Sequence, residues 1–281
     1  MGSILGVRPP PHIGRMERIG GPDPLPAPPA PSAGPDRPVG SRFRSPSTAM
    51  VSDASIPAPV PVFFEDLKRL PPGRHRISVE EVARQQRSRL MGAMLDAVGE
   101  QGYIATSVAD VLARAGVSRR TFYEHFADKE DCYLQAYDHV ARMLTEAVEG
   151  ALLGHEHWQD AVRAGLDLFL RTVAENPRIA RAALIEVLAV GPEGVRRREA
   201  SLRPFEQFFE LARELAPAGA AIPGTVTETL VGGILETISA RVMRDEAHRV
   251  PELLDQLVFW SLVPFVGPVE ASRAVAERPG A

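Results

Sequence analysis

Hydrophobic residues recur three and four positions apart after Pro72, and no segment alternates convincingly as a half-buried strand would. Glycine, proline, asparagine and aspartate separate these helical segments. The first apolar stripe predicts a helix that Gly102 ends, and it consists of Leu90, Ala93, Met94, Ala97 and Val98. The pattern predicts an all-α protein.

Two short helices are predicted next. Ser107 and Asp110 have capping-box-like spacing at the start of the first, and Gly116 suits a left-handed stop at its end. Ser118 is placed to cap the second, which begins at Arg119. A long fourth helix then follows from Asp128 to about residue 152.

The second short helix has two different faces. Phe122 and Phe126 are four residues apart, so both must point the same way, into a core. The outer face keeps the polar and basic residues Arg119, Arg120, Thr121, Tyr123 and His125. Two short helices joined by a tight glycine turn predict a helix-turn-helix whose second helix, capped by Ser118, enters a DNA major groove.

Each candidate DNA-contacting residue has a specific predicted role. Arg119 and Arg120 can bind guanine edges, a contact worth roughly 1–3 kcal/mol of discrimination. Phosphates are the predicted partners of Thr121, Tyr123, His125 and Lys129. For three of these residues a purely structural role stays open: ring packing for Tyr123, a helix cap for His125, and a surface charge for Lys129.

Charge is unevenly distributed along the chain. Residues 1–61 and 62–127 each carry a net charge of +2, whereas residues 128–281 carry −8. A basic run is densest between Lys68 and Arg89 and predicts a polyanion-binding arm, with a solvated basic linker as the alternative. Fifteen of the 26 prolines lie in residues 1–61, which predicts a disordered tail. Translation from Met50 would remove most of that tail.

Several protein classes are disfavoured. No stretch approaches eighteen consecutive apolar residues and the first residues lack a signal peptide's apolar centre, so a cytoplasmic protein without a membrane segment is expected. The single cysteine, Cys132, is expected to be a buried hydrophobe rather than a redox sensor. Histidine spacing at His155–Trp158 does not fit a helical zinc site, and no nucleophile or phosphate-loop motif occurs, so neither an enzyme nor a cofactor is expected.

The C-terminal half contains two segments that predict a partner. One has two adjacent glycines, Gly232 and Gly233, inside a helical pattern, which costs helix propensity unless another backbone approaches closely. The other, from Val250 to Gly267, is apolar nearly all round its helix. A helix with more apolar surface than one core can cover implies a partner. Complete burial within one subunit is the alternative.

The stretch from Gly102 to Tyr137, "GYIATSVADVLARAGVSRRTFYEHFADKEDCYLQAY", closely resembles the DNA-binding domain of the tetracycline-repressor-like (TetR) family. The resemblance begins near Gln85. It implies that Arg119, Arg120, Thr121, Tyr123 and His125 lie on a recognition helix, with Ser107 and Lys129 near the DNA backbone. Ala109 departs from relatives that carry a long polar side chain there, which weakens base reading by the first short helix.

The resemblance also implies the rest of the organisation. Residues 1–61 would be the tail, 62–78 the arm, 79–127 the helix-turn-helix domain, 128–270 a larger helical effector-binding and dimerisation domain, and 271–281 a flexible C-terminus. By this resemblance, the partner of the two apolar helices is a second copy of the chain. The predicted interface residues are Leu230, Gly233, Ile234, Ile238, Leu254, Leu257, Val258 and Ser261.

The function expected from these features is ligand-responsive repression. A homodimer would bind double-stranded DNA at a palindromic operator, and a small-molecule effector would release it. Candidate pocket residues are Trp158, Phe169, Phe205, Phe209 and Met243, each of which core packing alone also explains. An architectural DNA-binding protein and a structural interaction dimer are the competing interpretations.

Overall fold

The computed structural model describes residues 78–153, 155, 157–216 and 222–277. Helices and turns account for this part of the chain, and no strand occurs in it. The prediction of an all-α protein is therefore confirmed. The predictions for the tail at 1–61, the start at Met50 and the arm up to residue 77 lie outside the described residues.

The helices follow one another with short connections. They are α1 Val79–Gln101, α2 Val108–Ala115, α3 Arg119–His125, α4 Lys129–Leu152, α5 Trp158–Glu175, α6 Pro177–Leu184, α7 Pro192–Leu215, α8 Thr225–Met243 and α9 Leu254–Ala276. Two 3₁₀ segments, Glu186–Val190 and Ala247–Leu253, lie after α6 and before α9. The boundaries expected for α1 to α4 are confirmed.

The caps that set these boundaries form as the sequence predicts. The Ser107 hydroxyl accepts the Asp110 N–H at 3.3 Å while the Asp110 carboxylate accepts the Ser107 N–H at 2.8 Å. Gly116 takes the left-handed conformation at φ 63°. The Ser118 hydroxyl caps α3 by accepting the Thr121 N–H at 3.1 Å.

A single hydrophobic core joins the first four helices to α6. The predicted α1 stripe is buried throughout, and Phe122 and Phe126 are 0% and 2% exposed. Ala182 of α6 and Val187 just beyond it belong to the same cluster. Cys132 is fully buried there, and burial raises the pKa of its thiol well above the usual range, as expected of a packing residue.

In the second half, one helix is shorter than its apolar spacing predicts, and a proline lies inside another. The apolar spacing from Ile179 to Leu188 predicts one helix, but α6 ends at Leu184 because the chain tightens into the 3₁₀ segment, and Leu188 is 49% exposed. Proline at residue 204 predicts either the start of a helix or a kink in it; α7 begins at Pro192, so Pro204 lies in its interior.

The end of the described chain is more ordered than expected. Residues 271–276, predicted to be flexible, continue α9 beyond a kink at Gly267, where φ is 79°, and Ala271 is fully buried. Ala247–Ala276 is also the one segment of the described chain long and apolar enough to span a membrane by composition. In the structure it packs against α5 and α8.

Half of the predicted dimer residues lie inside the subunit. Ile238, Leu257, Val258 and Ser261 are between 0% and 6% exposed in a single chain, so a partner cannot reach them. The reason is the packing of α8 and α9 against α5 and α7, which takes up these faces. Among the other predicted dimer residues, Gly233 is exposed, and the half-buried ones are Leu230, Ile234 and Leu254.

Candidate nucleic-acid interface

The orientation of α3 is fixed by its two phenylalanines. The rings of Phe122 and Phe126 lie 5.6 Å apart in the core, and Val117 packs beside them. The opposite side of the helix faces outward, with Arg119 and Arg120 exposed and Tyr123 51% exposed. The seven-residue helix therefore presents a polar ridge on a rigid base.

The two arginines differ in their existing contacts. Arg120 donates from Nε to the Glu124 carboxylate at 2.9 Å, one turn along the same helix. A base contact by Arg120 would compete with this exposed pair, which contributes only a few tenths of a kcal/mol. Arg119, the first residue of α3, is exposed beside it. Both side chains can therefore be redirected to a ligand at little cost.

The remaining predicted α3 contacts are partly covered. The Thr121 hydroxyl lies 2.9 Å from the Ser118 hydroxyl, so both groups already support the cap. His125 is half-buried, and burial, followed by the nearby Arg87 charge, lowers its pKa below the usual 6.5. At neutral pH the ring is therefore uncharged and can donate one N–H to a phosphate.

Ser107 at the start of α2 is exposed, but its hydroxyl has a structural role. It donates to the Asp110 carboxylate at 2.6 Å, and these hydrogen bonds lower the pKa of Asp110. On the outward side of α2, Ala109 and Ala113 are exposed and offer no hydrogen-bonding side chain. Weak base reading by α2 stays a prediction, and these two alanines are consistent with it.

The structure assigns Lys129 to internal contacts. Its ammonium donates to the carbonyls of Tyr103 and Thr106 at 3.0 and 3.1 Å and lies 4.1 Å from the centre of the Tyr103 ring. These contacts tie the start of α4 to the turn before α2. A phosphate role for Lys129 would require exchange of these bonds. No sequence pattern indicates them, because they are made to backbone oxygens.

Part of the basic run also faces inward. Arg87 lies over the Phe126 ring at 5.5 Å and donates to the side chain of Gln135, and Arg89 donates to the Gly116 carbonyl at 3.5 Å. Arg84 pairs with Glu81 on the surface. These three arginines therefore support α1, while the four basic residues from Lys68 to Arg76 lie outside the described chain.

A network of charges that the sequence analysis missed joins this domain to α6. Arg114 of α2 pairs with Asp96 of α1 at 2.6 Å and also with Glu100, and Arg178 of α6 pairs with the same two carboxylates at 2.8 and 3.5 Å. Only the fold brings the four residues together, since they are up to 82 positions apart.

Comparison with known proteins agrees with this geometry. Residues 93–136 match the family model "Bacterial regulatory proteins, tetR family". A helix-turn-helix transcriptional repressor from Mycobacterium tuberculosis is 27% identical over 126 residues, which is 45% of this chain and 56% of that protein. A regulator from Mycobacterium bovis matches to the same extent. The chain thus matches little more than half the length of these relatives, all described as regulators.

Solved structures share the fold of the larger part of the chain. A fatty acid degradation regulator from Bacillus halodurans superimposes with a TM-score of 0.55 and 16% identity, covering 65% of this chain and 95% of its own. A regulator from Bacillus subtilis, solved in complex with stearoyl-CoA, superimposes with a TM-score of 0.54 and 16% identity, covering 64% of this chain and 97% of its own. A regulator from Marinobacter aquaeolei superimposes with a TM-score of 0.53 and 18% identity, covering 66% of this chain and 96% of its own. The helix-turn-helix segment thus matches the tetR family of bacterial regulatory proteins, and the described chain shares the all-helical fold of these solved regulators.

Proposed function

We propose that this protein is a repressor that binds a palindromic operator as a homodimer in the cytoplasm and is released by a small molecule. The observation that supports it best is the outward ridge of α3, where exposed Arg119 and Arg120 stand on a helix anchored by buried Phe122. A fixed helix with forked donors at its N-terminal end suits guanine recognition in a major groove.

Binding to DNA upstream of the gene tests the DNA-binding part. Fluorescence anisotropy should find a palindrome bound at least a thousandfold more tightly than random DNA at the same salt. Arg119→Ala should relax base preference at one symmetric position by roughly 1–3 kcal/mol. Arg203→Ala, which removes an exposed arginine from α7, is the matched control and should leave the preference intact.

Random DNA bound as tightly as any palindrome would support an architectural protein instead. Complete failure to bind DNA would support the structural dimer. In either case the repressor proposal would be rejected.

The outward face of α8 and α9 supports the homodimer. Gly232 and Gly233 are exposed, and apart from the neighbouring backbone of their own helix no described heavy atom lies within 4 Å of an added Cβ. Trp260 of α9 is 62% exposed, which is unusual for so large an apolar side chain. A two-fold dimer whose two α3 helices lie about 34–36 Å apart would match one turn of DNA.

Trp260→Glu tests this face. It should shift the sedimentation coefficient to that of a monomer and abolish palindrome binding together, because a single α3 contacts too few base pairs. Leu211→Glu, at a 44% exposed leucine of α7, is the control and should leave the dimer intact. A Trp260→Glu monomer that keeps native operator affinity would contradict the role of the dimer.

A cavity between α4, α5, α6, α7 and α8 supports effector control. Phe169, Phe205 and Phe209 line it as candidate pocket residues, but Trp158 and Met243 do not. Trp158 instead packs edge-on against Phe265, and Met243 is 51% exposed.

Helix α6 is the element that can transmit binding. Its Ala183 and Leu184 line the cavity, while the neighbouring Ala182 carbonyl accepts the Tyr133 hydroxyl at 2.7 Å in the N-terminal core. Past the helix, Glu186 accepts the Tyr103 N–H at 2.9 Å. An effector that displaces α6 would therefore move the base of the helix-turn-helix, and only a difference in affinity between two such states can release DNA.

A further inference from the structure

The cavity proposed for the effector is small and mostly apolar. Its volume is about 150 Å³, and aliphatic and aromatic side chains make up most of its described lining. An apolar cavity of about this volume can bind benzene. The space therefore fits one substituted ring better than a long chain.

Aromatic rings form a large part of the cavity wall. The aromatic lining residues are Tyr137 of α4, Phe169 of α5, and Phe205, Phe208 and Phe209 of α7. The Phe208 and Phe209 rings lie 5.5 Å apart at an angle of 74°, an edge-to-face arrangement. Rings at such angles present both faces and edges, and a further ring that contacts them gains energy beyond the area it buries. An aromatic ligand is therefore favoured over an aliphatic one of similar volume.

The lining does not suit a charged ligand. No lysine, arginine or histidine belongs to the described lining, and its one charged residue, Glu149, is exposed. A buried anion would find no partner there, which carries a large cost. An ammonium group beside Glu149 would stay in water, where an ion pair contributes little. The cavity therefore favours an uncharged molecule.

Two hydroxyls give the cavity a directional hydrogen-bonding group. Ser201 of α7 lines the cavity and donates its only hydroxyl proton to the Arg198 carbonyl at 2.7 Å. The Tyr137 hydroxyl lies 2.8 Å from the Ser201 oxygen, so Tyr137 is the donor of that pair. Both protons are thus used within the protein, and a lone pair on the Tyr137 oxygen remains for a ligand.

This arrangement distinguishes ligands that donate a hydrogen bond from ligands that only accept one. A ligand O–H can donate to the Tyr137 oxygen and add a bond without breaking another. A ligand that only accepts must take the Tyr137 proton away from Ser201, so one bond merely replaces another. Burial raises the pKa of Tyr137, which keeps its hydroxyl protonated at neutral pH.

We propose that this cavity binds a small uncharged phenol, one aromatic ring whose hydroxyl donates a hydrogen bond to the Tyr137 oxygen. The phenylalanine rings of α5 and α7 contact the ligand ring, and the pair of Tyr137 and Ser201 orients its hydroxyl. The regulatory meaning of this ligand rests on the proposed function, whereas its binding does not.

Calorimetry on the full chain without DNA tests the proposal with five one-ring probes. Para-cresol and anisole are isomers that differ in whether the oxygen carries a proton, and para-cresol should bind about three- to tenfold more tightly. Methylcyclohexanol should bind more weakly than para-cresol because its ring is aliphatic. Benzoate and benzylammonium, which are charged at neutral pH, should each bind at least about tenfold more weakly than para-cresol.

Three variants test the partner of the ligand hydroxyl. Tyr137→Phe should remove the preference for para-cresol over anisole, because the accepting oxygen is lost. Ser201→Ala frees the Tyr137 proton for a ligand acceptor, so anisole should gain affinity and the preference should shrink. Tyr103→Phe, the matched control, removes the hydroxyl of another buried tyrosine outside the described lining and should leave the preference unchanged.

Other outcomes would overturn the assignment. They are equal binding of para-cresol and anisole, a preference that survives Tyr137→Phe, tighter binding of any of the other three probes, and no binding of any probe. Loss of the preference in Thr145→Val, at the other lining hydroxyl of α4, with Tyr137→Phe unchanged would also reject it.

Should Tyr137→Phe fail to fold, the change of preference in Ser201→Ala decides alone. Para-cresol that binds as expected without changing operator affinity would support the ligand site and contradict only the effector role in the proposed function.

Discussion

The contact between α1 and α6 gives a sharp test of the packing that links the cavity to the DNA-binding domain. At Gly99 of α1, an added Cβ would lie 2.1 Å from the Arg178 carbonyl oxygen and 2.6 Å from the carbonyl carbon. Both opposing atoms belong to the backbone of α6 and cannot rotate away. Gly99→Ala would therefore force the two helices apart by about 1 Å.

Two opposing effects set the magnitude. Alanine favours the helix by about 1 kcal/mol over glycine. Overpacking against a backbone costs roughly 1–3 kcal/mol, and more where the surrounding atoms cannot move. We therefore expect the free energy of unfolding to fall by about 1–2 kcal/mol in Gly99→Ala. For a chain of this size the melting temperature should fall by roughly 2–8 °C.

Scanning calorimetry of Gly99→Ala beside Gly150→Ala measures this difference. Gly150, near the end of α4, has no described heavy atom within 4 Å of an added Cβ, so its replacement should stabilise by up to about 1 kcal/mol. The ion pairs of Arg178 with Asp96 and Glu100 should also loosen in Gly99→Ala. Equal stabilisation by both substitutions would refute the close approach of α1 and α6.

Three further outcomes are expected. Gly233→Ala should lower dimer affinity measured by sedimentation, because in the proposed dimer the added methyl would meet the partner; a more stable protein with unchanged association would argue against the α8 interface. Ser261→Ala should be neutral or stabilise by up to about 1 kcal/mol in denaturant unfolding, since the buried hydroxyl has no hydrogen-bond partner among the described residues, and a clear loss of stability would contradict that reasoning. The free energy of unfolding should decline as pH falls from about 6.5 through the lower pKa of folded His125, because the unfolded chain binds the proton first. In His125→Gln this decline should be shallower. Identical pH profiles for the two proteins would contradict the burial of the ring.

The sequence was sufficient for the local architecture of the DNA-binding domain. Ser107, Gly116 and Ser118 act on backbone groups within three or four residues, so their capping roles are readable without a fold. Phe122 and Phe126 set the inward face of α3 through helical periodicity alone. The exposed arginines follow from the same periodicity.

Tertiary structure decided which apolar and charged groups remain available to partners. Ile238 and Leu257 have the helical spacing of an interface, yet packing within the subunit buries them and leaves Trp260 outside. Lys129 looks like a surface cation but is held by carbonyls 23 and 26 residues away. Periodicity fixes a side chain's direction around its own helix, whereas the neighbour it meets depends on contacts between distant segments, and only the folded chain determines those.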